Sequence, residues 1–221
     1  MSNTTIFDRY IGIDYSGAQT PTSSLKWLRV YVGDRELPRI EIQPPPSHRK
    51  YWTRRGVAEW LVERLSERRP TLVGIDHGFS FPVRYFEEHH LQHDWPAFLD
   101  DFQQHWPTDE DLTYVEFVRD RACGNGRARS GNPRWRRLTE QRARAKSVFH
   151  FDVQGSVAKS THAGLPWLRY LRLQADGVQL SGAEASRGRI GTTISMMPIR
   201  LPLGCSVPTS MATWPHSSIR P

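Results

Sequence analysis

The chain has 221 residues, 38% hydrophobic and 24% charged, with a formal net charge of +7. These proportions suit one sizeable globular domain, or one domain plus an appendage, and exclude a disordered chain. Two cysteines, Cys123 and Cys205, imply no disulfide framework; no run nears the roughly 18 apolar residues of a membrane span, and Met-Ser-Asn-Thr-Thr at the start lacks the basic-then-apolar form of a secretory signal. The expected setting is the reducing cytoplasm, with no membrane partner. The positive charge points to an anionic partner, nucleic acid first; the plainer alternative is a basic surface with no specific partner.

Tyr10 to Asp14 predicts a first strand. Ile11-Gly-Ile-Asp14-Tyr-Ser-Gly17-Ala is an apolar run ended by an aspartate and a glycine-containing turn. A run apolar on both faces predicts a strand buried on both sides. Leu25 to Val32 is rich in β-formers and predicts the hairpin partner, reached through the polar stretch Tyr15 to Ser24. Arg39 to Gln43 predicts a third strand, stopped by the stiff Pro44-Pro45-Pro46. From Thr53 to Arg69 the period becomes helical: Val57, Trp60, Leu61 and Leu65 recur at three- and four-residue steps, with Thr53 as N-cap and Pro70 as stop. A second aspartate-terminated strand follows, Thr71 to Asp76, within Leu72-Val-Gly-Ile-Asp76-His-Gly-Phe-Ser-Phe-Pro82. The order of three strands, a helix and a strand predicts a right-handed crossover within one sheet.

Beyond Phe81 a helix is expected from Tyr85 to His105, interrupted or bounded by Pro96 and Pro107, and another starting between Asp109 and Phe117. Residues 119–146 form a basic insertion with ten Lys or Arg against two acids, Asp120 and Glu140. Its glycine-rich first half reads as loop and its second half, Arg134 to Lys146, as helix. Phe149 to Gln154 predicts a further strand, and Thr161 to Arg172 a turn followed by a helix carrying Trp167, Leu168 and Leu171. The chain thus divides into a domain over 1–175 and an irregular tail over 176–221.

The tail differs in kind from the rest. It has no acidic residue after Glu184, and three of the four methionines lie within its last 26 residues. Its ordinary reading is a disordered C-terminus. A sharper one comes from the genetic code. With each codon started one nucleotide earlier, Met196-Met197-Pro198 forces a hidden Asp-Ala pair, whatever codons were used. With permissible codons, Thr193 to Pro221 conceal His-Gln-His-Asp-Ala-Tyr-Ser-Val-Ala-Ala-Trp-Met-Gln-Arg-Ala-Asp-Leu-Asp-Gly-Asn-Leu-Ala-Ala-Phe-Leu-Asn-Pro. That string is an amphipathic, alanine-rich helix headed by a His-Asp pair. The expectation is a frameshift between about Leu171 and Gly191, which leaves the tail out of frame.

Two aspartates at the ends of neighbouring strands would hold Mg²⁺ or Mn²⁺ through oxygen, leaving coordination positions for water and a substrate phosphate. Asp14 and Asp76 are therefore the candidate metal ligands and catalytic residues. The competing reading is that each only accepts backbone N–H bonds from its own turn. Asp152, with Gln154 and Lys159 after it, is a third catalytic candidate, or part of a phosphate-holding turn; an ordinary turn after a strand is the alternative. Arg134 and Arg136, flanking Trp135, are candidates for contact with a nucleic-acid backbone, with Trp135 stacking on a base; a solvated basic loop is the alternative. His89 and His93 have helical spacing suited to a zinc site, but no third ligand follows at a telling distance and a solvated helix face is preferred. Cys123 has no evident histidine partner, and no phosphate-binding loop of the Gly-x-x-x-x-Gly-Lys type is present.

Ile11-Gly-Ile-Asp14-Tyr-Ser-Gly-Ala, Gly74-Ile-Asp76-His-Gly-Phe-Ser-Phe-Pro82 and Phe151-Asp152-Val-Gln154-Gly-Ser-Val-Ala-Lys159-Ser-Thr161 together resemble the ribonuclease-H-like superfamily. Within it they are similar to a bacterial family of predicted nucleases catalogued as a domain of unknown function. The likeness runs from about Tyr10 to Tyr170. It implies an α/β fold with a mixed five-stranded sheet flanked by helices, and metal-binding carboxylates at strand ends, matched here by Asp14 and Asp76. The family pattern also has a His-Asp-Ala motif opening a C-terminal helix that usually supplies a further acid. The chain as written lacks that motif, so the resemblance implies a Mg²⁺-dependent nuclease lineage with this copy impaired. The alternatives are a non-catalytic nucleic-acid-binding or interaction protein and, further off, an actin-like or sugar-kinase ATPase, which needs a second such domain.

Overall fold

The computed structural model describes residues 7–36, 38–45, 49–67 and 69–174, and the backbone alone of 178–181 and 192–195. Strand β1 (Arg9–Asp14) is central, with β2 (Arg29–Asp34) antiparallel on one side and β4 (Thr71–Ile75) parallel on the other. Strand β3 (Ile40–Ile42) pairs antiparallel with β2. These four strands make a mixed sheet in the order β3-β2-β1-β4. Beyond β4 the backbone of β6 (Thr192–Ser195) and β5 (Val178–Ser181) continues it in parallel.

Helix α1 (Arg54–Ser66) carries the chain from β3 to β4, as the periodicity predicted. The Thr53 hydroxyl accepts the Gly56 N–H at 2.9 Å and so satisfies one otherwise orphaned donor of the first turn. Strand alternation sends Ile11, Ile13, Val30, Val73 and Ile75 to one side of the sheet. There they join Val57, Leu61 and Leu65 of α1 and Leu165, Leu168 and Leu171 of α6 (Ala158–Gln174) in one buried core. The opposite side differs. Tyr10, Gly12, Leu72 and Gly74 are only half-buried, Asp14 is exposed, and none belongs to the core cluster. The expectation that β1 and β4 are buried on both sides therefore fails among the described residues: the helices that bury side chains do so on one side only.

Helices α2 (Val83–Glu88) and α3 (Trp95–His105) enclose an aromatic cluster. The ring of Phe81 lies 4.6–5.4 Å from those of Tyr85, Phe98, Phe102 and Phe149. Such edge-on and tilted pairs stabilise beyond the area they bury. The single helix expected from Tyr85 to His105 is broken here. His90 takes a positive φ of 53°, and Asp94 caps a new helix by accepting the Ala97 N–H at 2.8 Å, with Pro96 in its first turn.

Other expected boundaries moved for local reasons. Residues 25–28 form a turn rather than the start of β2; the Leu25 N–H is taken by the Trp52 carbonyl at 3.0 Å. Helix α4 (Val115–Arg119) does begin within the expected range, after Leu112 at φ 62°. The basic insertion holds a 3₁₀ turn (Gly126–Arg129) and only a five-residue helix α5 (Leu138–Arg142), followed by Arg144 at φ 51°. Phe149 to Gln154 is a succession of turns, not the fifth strand. Its apolar residues serve the aromatic cluster instead: Phe149 meets Phe81, Tyr85 and Trp135, and Phe151 meets Trp106 and His162.

Urea unfolding tests this placement. Phe149→Ala should cost about 3–5 kcal/mol, the range for emptying a buried aromatic site. Val153→Ala should stay within about 0.5 kcal/mol, because Val153 is 41% exposed. Equal costs would return the segment to a strand with one buried face.

Candidate functional site

The register of β1 and β4 ends at Ile13 opposite Ile75, and the Asp76 N–H donates to the Ile13 carbonyl at 3.0 Å. The next position outward sets Asp14 beside Asp76, across an inter-strand gap of about 4.8 Å. Alternation turns both away from the core, onto the less covered side of the sheet. Arg29 lies opposite Asp14 on β2 and holds Glu41 through two bonds of 2.8 and 2.6 Å. The Glu41 hydrogen bond raises the Arg29 pKa, and the Asp14 charge adds to the effect. The sheet end therefore carries carboxylates from three strands and one guanidinium.

The loop after Asp14 is shaped from beneath by Arg54, whose side chain is fully buried. Its guanidinium donates to the carbonyls of Ala18 at 2.6 Å, Gln19 at 2.7 Å and Ser16 at 3.3 Å. Burial lowers its pKa from the ordinary arginine value. A buried cation of this kind is tolerated because carbonyl oxygens take its protons.

Helix α6 presses on both aspartate loops. A Cβ on Gly17 would overlap the backbone carbonyl of Lys159, and one on Gly164 would overlap the ring of His77, the residue after Asp76. The Thr161 hydroxyl accepts the Gly78 N–H at 2.8 Å. The first two turns of α6 thus hold the two loops at one end of the sheet. Lys159 forms an ion pair with Glu116, and the two line an open cleft of about 500 Å³ with Gln19, Thr20 and Tyr114.

The other expected site residues fall elsewhere. Asp152 is 84% exposed in a turn, paired with Arg119 at 2.9 Å. Gln154 is exposed, and its carbonyl accepts the Lys146 ammonium. Arg134 and Arg136 are exposed, while Trp135 is half-buried against Phe149. Among the described residues no group of three or more His, Cys, Asp or Glu side chains is placed to hold a metal ion. The helical spacing of His89 and His93 is lost because α2 ends at Glu88; the His89 ring instead meets the Ser130 carbonyl at 2.9 Å.

Two residues of this region escaped the sequence reading. Arg54 falls on the same helical stripe as Val57, Leu61 and Leu65, so a buried cation was signalled by position. Arg137 bonds Glu140, which is 4% exposed, at 2.8 and 3.0 Å, and reaches the Ser80 carbonyl at 3.4 Å. It ties the basic insertion to the loop after Asp76, and nothing in its neighbourhood in sequence marks it out from the other arginines.

Comparison of the chain with protein-family models, with curated proteins and with solved structures gives no match. What the coordinates define is a mixed α/β protein with two strand-end aspartates set side by side. Among the described residues no helix is long and apolar enough to cross a membrane.

The buried histidines set a pH dependence. Burial pushes the His77 pKa down to about 4 and that of His162 down to about 3. Each ring is neutral at pH 7, with Nδ1 on a backbone carbonyl, of Gly78 at 2.8 Å and of Ala158 at 2.9 Å. Below the unfolded value near 6.5 the unfolded chain takes up protons that the folded chain refuses, so stability is lost as the pH falls. Between pH 6.5 and 5 the expected slope approaches about 1.4 kcal/mol per pH unit for each histidine. Unfolding free energies from urea titrations that stay flat over this range would contradict the burial of both rings.

Proposed function

We propose that this chain belongs to a ribonuclease-H-like lineage of divalent-cation-dependent phosphodiester hydrolases, with Asp14 and Asp76 as cation ligands and nucleic acid as substrate. The observation that carries the reading is the strand register, which sets two aspartates side by side at the end of a parallel pair. The sheet order β3-β2-β1-β4, antiparallel then parallel, supports it as well.

The donor set fits the proposed group. Two carboxylates offer hard oxygen ligands, and the side of the sheet they occupy has room, since a Cβ on Gly12 would meet nothing within 4 Å. Asp14 and Asp76 would hold Mg²⁺ or Mn²⁺, which supplies phosphoryl polarisation and a water of lowered pKa. The remaining work falls to the chain itself. Arg54 and α6 keep the two loops from drifting apart, and Arg137 holds the basic insertion against the Asp76 loop. Arg134 and Arg136 present exposed guanidinium groups for backbone phosphates. Lys159 stands at the cleft beside the loop after Asp14, with Glu116 offsetting its charge. The chain as written lacks the further acid that the resembled family carries on its C-terminal helix, so this copy is expected to be impaired.

A second reading, a nucleic-acid-binding module without catalysis, is favoured by the insertion. Arg121, Arg127, Arg134, Arg136, Arg142 and Arg144 have no ion pair among the described residues.

Calorimetric titration with Mn²⁺ and Mg²⁺, followed by binding and cleavage assays on single- and double-stranded DNA and RNA, separates the two. On the hydrolase reading, Asp14→Asn and Asp76→Asn each weaken cation binding at least tenfold. Nucleic-acid binding that needs no metal and ignores both substitutions would leave only the module. On either reading, Arg134→Ala with Arg136→Ala should lower the salt dependence of binding to double-stranded DNA by about 0.9 per lost phosphate contact.

A further inference from the structure

We propose that the cleft beside the loop after Asp14 binds the phosphate of a nucleotide unit, through the backbone N–H groups of Gln19 and Thr20, the hydroxyls of Thr20 and Ser23, and the ammonium of Lys159. The site needs no metal ion, so it stands or falls apart from the hydrolase reading.

The backbone of the loop comes first. Arg54 lies behind it, fully buried, and holds the Ala18 carbonyl at 2.6 Å and the Gln19 carbonyl at 2.7 Å. A trans peptide is planar, and its N–H points opposite to its C=O. With both carbonyls turned inward to Arg54, the N–H groups of Gln19 and Thr20 are turned outward. Neither has a protein partner among the described residues. Gln19 holds φ at 54°, and successive N–H groups in turns of this kind form concavities that bind anions.

Charge is a second and independent pointer. Among the described residues Arg54 bonds carbonyls and no carboxylate, and its Nε meets no acceptor. Carbonyls take its protons but do not cancel its charge, and a buried cation is ordinarily paired. An anion seated on the outer side of the loop would supply that pairing across one thickness of backbone.

The lining of the cleft suits a nucleotide. Thr20 and Ser23 line it, with their hydroxyl oxygens 2.7 Å apart. Lys159, 45% exposed, lines it too, and its ammonium is paired with Glu116. A partly exposed pair of this kind is weak and exchanges readily. Glu116 therefore keeps the ammonium at the cleft until a phosphate competes for it. The volume, about 500 Å³, is in the range of sites for small organic ligands and exceeds what a lone phosphate fills. Tyr114 offers a ring for the rest of the nucleotide. It is half-buried between the buried Thr113 and Val115, and its ring lies 4.0 Å from that of Phe117. Any base can stack on such a ring.

Titrations of the full 221-residue chain with chelator present test the site. The probes are inorganic phosphate, adenosine 5′-monophosphate, adenosine, and a single-stranded DNA pentamer with and without a 5′-phosphate. Adenosine 5′-monophosphate should bind at least tenfold tighter than adenosine and shift the Gln19 and Thr20 signals in two-dimensional amide NMR. Inorganic phosphate should shift the same two signals. Lys159→Ala should weaken the nucleotide at least tenfold. Glu116→Gln should tighten it about threefold, because it releases the ammonium; an ion pair with a merely structural role predicts no gain. Both side chains are partly exposed, so both variants should keep the unfolding midpoint of the parent chain. The pentamers identify the source of the phosphate. Preference for the 5′-phosphorylated one assigns a strand end, equal binding an internal backbone phosphate, and binding of neither a free nucleotide. Failure of every probe to bind, adenosine binding as tightly as its monophosphate, unmoved signals at Gln19 and Thr20, or Glu116→Gln binding no tighter than the parent each overturns the proposal. A chain that binds the nucleotide in chelator, but takes up no Mn²⁺ without it, would remove the hydrolase reading alone.

Discussion

The close approach of α6 to the two aspartate loops is the constraint on which the rest of the structure depends. The helix cannot lie where it does unless Gly17 and Gly164 lack side chains, since Lys159 and His77 occupy the space a Cβ would need. Sheet pairing alone would set Asp14 beside Asp76 but leave the chain beyond each free to wander. The wedge of α6, with Thr161 on the Gly78 N–H, removes that freedom. Arg54 does the same from below for the loop after Asp14, and Arg137 from outside for the loop after Asp76.

This arrangement explains why strongly polar groups lie so deep beneath an otherwise apolar core. Arg54, His77 and His162 are all buried. Arg54 meets carbonyls from a loop that has no strand partner for them, and the histidines stay neutral and cap carbonyls of their own. Arg54 reaches its carbonyls from another segment, whereas each histidine meets a carbonyl of its own segment; in all three cases a buried polar side chain has a backbone acceptor. The result is a stiff platform at one end of the sheet with a less covered side above it.

The basic insertion is less uniform than its composition. Arg119 and Arg129 are tied to Asp152 and Asp101, and Arg137, paired with Glu140 inside the segment, reaches the Ser80 carbonyl; these contacts anchor the segment to the body of the protein. Trp135 leans on Phe149 instead of standing free. The remaining arginines point their charge outward from a fixed base. An anionic backbone would meet a shaped surface there, not a loose tether.

The pattern of residues was enough to place β1, β3, α1 and β4 within a few residues, the Thr53 cap, the hairpin pairing of β1, and the two strand-end aspartates. These rest on local signals: strand and helix period, a capping hydroxyl, and aspartates that end apolar runs. Pattern failed where a residue's role is assigned from a distance. Phe149 to Gln154 alternates like a strand, yet its rings were recruited by an aromatic cluster assembled from four other segments. His89 and His93 have helical spacing, yet the chain turns between them. Arg137 looks like its neighbours until Glu140 and the Ser80 carbonyl are brought to it. Which side of β1 and β4 would be covered was likewise unreadable from their apolar runs, because only the packing of α1, α3 and α6 decides which side of a sheet meets the core. Local chemistry determines what an element is; contacts between segments far apart in the chain determine what each side of it touches.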